Sequence, residues 1–73
     1  MTPRNETFLV WLAQQARRDD PVGDCARDML DDPDWPPTAT TFEAARAYLE
    51  SVHASRQAIA ALREAWDEWQ RRR

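Results

Sequence analysis

The chain has 73 residues, a net charge of −3 and a single cysteine, Cys25. That length builds one domain at most, a lone cysteine allows neither an internal disulfide nor a zinc-ligand spacing, and all ten basic residues are arginine. No apolar run approaches the ~18 residues of a membrane span, and Met1 to Asn5 holds no apolar signal segment, so the expectation is a soluble, cytoplasmic protein.

A chain this short buries only about 60% of its unfolded surface. Without a disulfide or metal to staple it, the core has to come from large rings, and four Trp, two Phe and one Tyr are present. Helical patterning runs throughout, with no strand alternation. The first helix begins after Thr7, an N-cap residue. Phe8, Trp11, Leu12 and Ala16 form its apolar face, with Leu9 beside it, and Arg17 and Arg18 fall near its C-terminal end, where cations suit the helix dipole.

The second helix opens at Asp20, with Pro21 in the first helical position, where its missing N–H costs nothing. Val22, Cys25, Ala26, Met29 and Leu30 make one apolar stripe, and Pro33 stops the helix near Asp31 or Asp32. Seven aspartates lie between positions 19 and 34. Asp19, Asp20 and Asp24 crowd the helix start, where negative charge is stabilising. Asp28 lies off the stripe, and Asp31, Asp32 and Asp34 fall at the helix end and in the loop. A calcium loop needs alternating oxygens around a glycine turn, and DDPDWPP has none. A solvated face with turn residues accounts for the aspartates without a metal.

The loop Trp35-Pro36-Pro37 is held extended by its prolines. Its Trp is either a plug folded onto the core or an exposed contact. The third helix starts near Thr40, with Thr40-x-x-Glu43 as a capping box. Phe42, Ala45, Tyr48, Leu49 and Val52 carry its apolar face, and His53 ends it as a solvated or dipole-favoured residue. Ser55 caps the fourth helix, whose stripe is Ala58, Ile59, Leu62, Ala65, Trp66 and Trp69. Arg71, Arg72 and Arg73 close it. The expected core is Phe8, Trp11, Leu12, Val22, Ala26, Met29, Leu30, Trp35, Phe42, Leu49, Ile59, Leu62 and Trp66.

Enzyme templates fail in turn. Gly23 stands alone, so there is no glycine-rich phosphate loop. Cys25 lies on an apolar stripe, where a nucleophile would be blocked. The many carboxylates look exposed, with nothing to raise a pKa for acid–base work. No cofactor or small-molecule substrate is implied. By segment the net charge is +2 over 1–18, −6 over 19–34, −1 over 35–54 and +2 over 55–73. Nucleic acid would need Arg17, Arg18 and Arg71–Arg73 to share one basic edge. As a groove reader, the 40–53 helix carries a poor set in Glu43, Arg46 and Glu50.

Several stretches in order resemble a family: Thr7-Phe8 with Trp11-Leu12, Asp20-Pro21-Val22-Gly23-Asp24-Cys25-Ala26, Asp32-Pro33-Asp34-Trp35-Pro36, Thr40-Thr41-Phe42 leading to Tyr48-Leu49-Glu50, and Glu64-Ala65-Trp66-Asp67-Glu68-Trp69. Together they are similar to the YozE SAM-like family of small bacterial proteins over about residues 7–69. Cys25, where a larger apolar residue is expected, and Trp69, where Tyr is usual, depart from its pattern. The resemblance implies an all-α bundle of four short helices similar to the sterile alpha motif. It favours Trp35 as a plug and brings no catalytic residue with it. The expectation is therefore a non-catalytic interaction module that binds a protein, or a second copy of itself. Its candidate surface is Arg17, Arg18, Asp28, Asp31, Asp32 and Arg71 to Arg73. A nucleic-acid-binding accessory protein is the alternative.

Overall fold

A computed structural model describes residues 7–72. Four helices follow one another: α1 (Phe8–Ala13), α2 (Pro21–Asp31), α3 (Phe42–Ser51) and α4 (Arg56–Arg71), with no strand among the described residues. Each starts on a side-chain oxygen that satisfies an otherwise orphaned backbone N–H. Thr7 Oγ1 accepts from Val10 at 3.2 Å, Asp20 Oδ1 from Gly23 at 2.9 Å, Thr41 Oγ1 from Ala44 at 3.1 Å and Ser55 Oγ from Ala58 at 3.1 Å. The α3 cap is thus Thr41 and not Thr40. Thr40 is held one residue earlier by its N–H to Thr38 O, 2.9 Å away, and Glu43 sits in the first turn without closing a box.

α1 is shorter than its pattern suggests. After Ala13 the chain tightens into three-residue turns, with Gln15 N–H on Leu12 O at 2.8 Å and Arg18 N–H on Gln15 O at 3.0 Å. Arg17 and Arg18 therefore lie beyond the helix and do not serve its dipole. Arg27, on α2, closes the turn by donating to Ala16 O (2.7 Å) and Arg18 O (2.9 Å).

α4 is the central element: it packs on α1, α2 and α3, and α1 also packs on α2. α3 touches neither α1 nor α2 helix to helix. The buried core comprises Phe8, Trp11, Leu12, Val22, Cys25, Ala26, Met29, Trp35, Ala39, Ala45, Leu49, Ala61, Leu62 and Ala65. Phe42, Ile59 and Trp66 are half-buried against it. Phe8 meets Trp66 edge-on at 5.1 Å and Trp69 at 5.7 Å. Trp35 is 9% exposed and packs edge-on against Tyr48 at 5.4 Å, so it is a plug. One expected core residue, Leu30, and one residue of the expected α3 apolar face, Val52, face water. Leu30 is 55% exposed: it continues the α2 apolar stripe, but no α3 residue packs on that side of α2. Val52 is 51% exposed, because it is the α3 C-cap and has left the helical register.

α3 ends in a paired-bond cap: His53 N–H donates to Glu50 O (3.1 Å) and Ala54 N–H to Leu49 O (2.9 Å), the Schellman pattern. It places His53 at φ 59°, in the left-handed region that glycine usually fills.

Candidate functional site

The aspartates divide by task. Asp20 caps α2 and also takes two bonds from Arg18, Nε at 3.0 Å and Nη2 at 2.8 Å. Asp24 pairs with Arg27. Asp32 accepts the Tyr48 hydroxyl at 2.5 Å and the Asp34 N–H at 2.9 Å. Asp28 and Asp31 are exposed. Of the acidic candidates Asp28 and Asp31 are thus open to a partner, whereas Asp32 is half-buried and already committed to Tyr48. Among the described residues no three His, Cys, Asp or Glu side chains gather in a way that could hold a metal ion.

The basic candidates also part company. Arg18 is half-buried and grips Glu68 of α4 with both terminal nitrogens, Nη1 at 2.6 Å and Nη2 at 3.0 Å. This two-pronged geometry is the strong form of an arginine–carboxylate pair. Hydrogen bonds to Glu68 and then Asp20 raise the Arg18 pKa further. The Glu68 carboxyl is lowered by the Arg18 bond, and Asp20 by the Gly23 N–H and then Arg18. Arg18 is therefore a tie between the α1–α2 turn and α4, already engaged by two carboxylates and not open to the basic edge that a nucleic acid would need. Arg17, Arg71 and Arg72 are exposed. The Arg72 guanidinium lies over the Trp11 ring at 5.8 Å. Arg73 lies outside the described residues.

α2 and α4 leave an open groove of about 550 Å³ between them. Buried Cys25 and Ala61 with half-buried Ala58 form its floor, and exposed Asp24, Asp28, Glu64, Ser55 and Gln57 its rim. Small side chains on α4 make the floor shallow and apolar. Asp24 and Asp28 stand one helical turn apart on α2, with Glu64 opposite on α4. Asp28 and Glu64 have no ion-pair partner among the described residues. Burial, then the charge of Asp28, pushes the Cys25 thiol up to about 12, so at neutral pH it is a protonated apolar group and not a nucleophile. Asp28 is the one groove residue among those singled out from sequence as a contact surface. Glu64 and Gln57 were missed. The i, i+4 spacing of Asp24 and Asp28 is visible in sequence, but their pairing with α4 is not.

No helix among the described residues is long and apolar enough to cross a membrane. The family model described as "YozE SAM-like fold" matches residues 7–71. No curated protein and no solved structure matches the chain.

Proposed function

The chain belongs to the YozE SAM-like fold family, and from that premise we propose that it is a small non-catalytic module that binds a protein partner in the groove between α2 and α4. The observation that carries the reading is the groove itself. An apolar floor of Cys25, Ala58 and Ala61 lies under a carboxylate rim of Asp24, Asp28 and Glu64. Shape and burial favour a side chain or helix end, and the rim selects a cationic one. A lone thiol with no disulfide partner fits work in the reducing cytoplasm.

A nucleic-acid partner ranks lower. Of the arginines that would supply its electrostatic footprint, Arg18 is held by two carboxylates, and the groove rim repels phosphate. Site-specific photocrosslinking in cells that express the protein tests the reading. A crosslinker at Gln57, on the rim, is expected to capture protein, and Asp28→Arg with Glu64→Arg should abolish that capture. A crosslinker at exposed Ala47 on α3 should capture none. Equal capture at both positions, or none from Gln57, overturns the groove as the docking site.

A further inference from the structure

Resting on that reading of the groove, we infer that its partner is a helix of a different protein that carries two cationic side chains seven residues apart, with small apolar residues between them. α2 and α4 run antiparallel. Pro21 and Val22, at the start of α2, share a smaller hollow of about 270 Å³ with Glu64, Glu68 and Arg71 in the C-terminal half of α4. Pro21 and Glu64 also line the groove. Its other α2 residues, Asp24, Cys25 and Asp28, come later in that helix, and its other α4 residues, from Ser55 to Ala61, come earlier in theirs. Asp28 therefore stands at one end of the groove and Glu64 at the other. From Pro21, level with Glu64, to Asp28 is seven residues of helix, which at 1.5 Å per residue is about 10 Å.

Charge and shape then decide the occupant. Both end carboxylates are exposed and have no ion-pair partner among the described residues. Asp24, between them, is already held by Arg27. Free negative charge is thus available at the two ends, and the floor between offers only the Cys25 thiol and the methyl groups of Ala58 and Ala61. A helix fits this layout. Residues seven apart return to within about 20° of the same face and lie about 10 Å apart along the axis. Small residues three and four positions after the first cation then rest on the floor. An extended peptide would instead bring its backbone N–H and C=O groups against a floor with no partners for them. The long stem of a lysine or arginine lies along apolar surface while its head reaches the carboxylate. A second copy of this chain does not supply such a helix. Arg56 and Arg63 on α4 have the spacing, but Arg63 pairs with Asp67 and lies over the Phe42 ring. The net charge of −6 over 19–34 steers a cationic partner toward this side of the molecule.

Titration of the isotope-labelled chain with two defined peptides, followed by nuclear magnetic resonance at low salt, tests the inference. Both peptides are built on alanine and glutamine and are roughly 20 residues long, enough to form helix in water. One carries two lysines seven apart with alanine at the third and fourth positions between them. The other has the same composition with its lysines five apart, which sets them about 140° apart around the helix. A contact of this size is a weak encounter, so the titration runs to about 1 mM peptide. The first peptide is expected to shift the amides of Cys25, Ala58 and Ala61, to leave Ala47 on α3 unmoved, and to bind about fivefold more tightly than the second, the gain of one further ion pair. Asp28→Arg with Glu64→Arg should lose the lysine peptide and bind its glutamate counterpart instead. Circular dichroism and thermal melts check that this variant is folded. Equal binding of the two lysine peptides, shifts confined to residues outside the groove, or no shift with either peptide overturns the two-cation helix. If Gln57 still crosslinks to protein in any of those cases, the groove reading stands without it. If Gln57 captures nothing as well, both fall.

Discussion

A Cβ built on Gly23 would lie 2.0 Å from the carbonyl oxygen of Arg18 and 2.7 Å from its carbonyl carbon. Glycine here is a matter of approach, since the backbone of the α1–α2 turn presses directly on the first turn of α2. Gly→Ala inside a helix ordinarily gains up to about 1 kcal/mol. At this site the sign reverses. Gly23→Ala is expected to cost about 2 kcal/mol through forced backbone displacement. At roughly 4–8 °C per kcal/mol for a domain of this size, a thermal melt should show the midpoint falling by about 10 °C. An unchanged or raised midpoint refutes the close approach.

The Arg18–Glu68 bridge couples segments fifty positions apart and should give a double-mutant-cycle coupling of about 1 kcal/mol, the upper end for partly exposed pairs. Its pH dependence follows from the lowered carboxyls. Glu68 and Asp20 hold protons less readily when folded than when unfolded. As pH falls, the unfolded chain takes up protons first, and the stabilisation is lost through and below the ordinary carboxylate range of about 4. Above that range it is fully present. Melts of the parent should drop steeply on the acid side, and Glu68→Gln should flatten that limb. Parallel acid limbs for parent and variant would remove Glu68 from the account.

Tyr48 is the only tyrosine in the chain, so its ionisation can be followed directly by ultraviolet absorbance. Its hydroxyl donates to Asp32, and that bond, with burial and the charges of Asp32 and Asp34 behind it, pushes its pKa up to about 12. Because the folded value lies above the unfolded value of about 10, the contribution is complete below pH 10 and disappears as pH rises toward 12. Titration of the parent should give a midpoint near 12, and Asp32→Asn should bring it back toward about 10. A parent midpoint at the ordinary value would show that the bond does not hold in solution.

His53 occupies a left-handed backbone position at φ 59°, which costs a non-glycine residue roughly 1–2 kcal/mol. Glycine removes that strain but loses more chain entropy on folding. The balance for His53→Gly should be a gain of about 0.5 kcal/mol, seen as a midpoint raised by a few degrees. His53→Val, β-branched, should move it the other way. A lower midpoint for His53→Gly means that the imidazole contributes something other than a cap.

What could be read without coordinates was what is local. Thr7, Asp20 and Ser55 cap where the pattern places them, since each oxygen acts on an N–H three residues away. Between Thr40 and Thr41 that same logic has two equal candidates, and the extended backbone at Thr41 decides. Large rings were legible as core, and Ala45 and Ala65 fell on apolar stripes marked by their larger neighbours, while Ala39 and Ala61 were not legible, because an alanine by itself carries no sign of which face it lies on. α1 was read too long: alanine, glutamine and arginine all favour helix, but the pairing of Arg18 with Glu68 and of Arg27 with the turn carbonyls outweighs that preference. Leu30 continues a genuine stripe that no neighbouring helix covers. Of the groove, the α2 carboxylates were in view, and its α4 wall emerged only once the two helices were side by side.

α3 is joined to the rest through α4 and through the loop whose Trp35 ring rests on Tyr48. An element with so few neighbours opens separately from its surroundings. Its amides should trade hydrogen for deuterium ahead of those in the middle of α4, and Trp35 is the pin whose loss would let the whole 32–54 segment detach while the other three helices keep their grip.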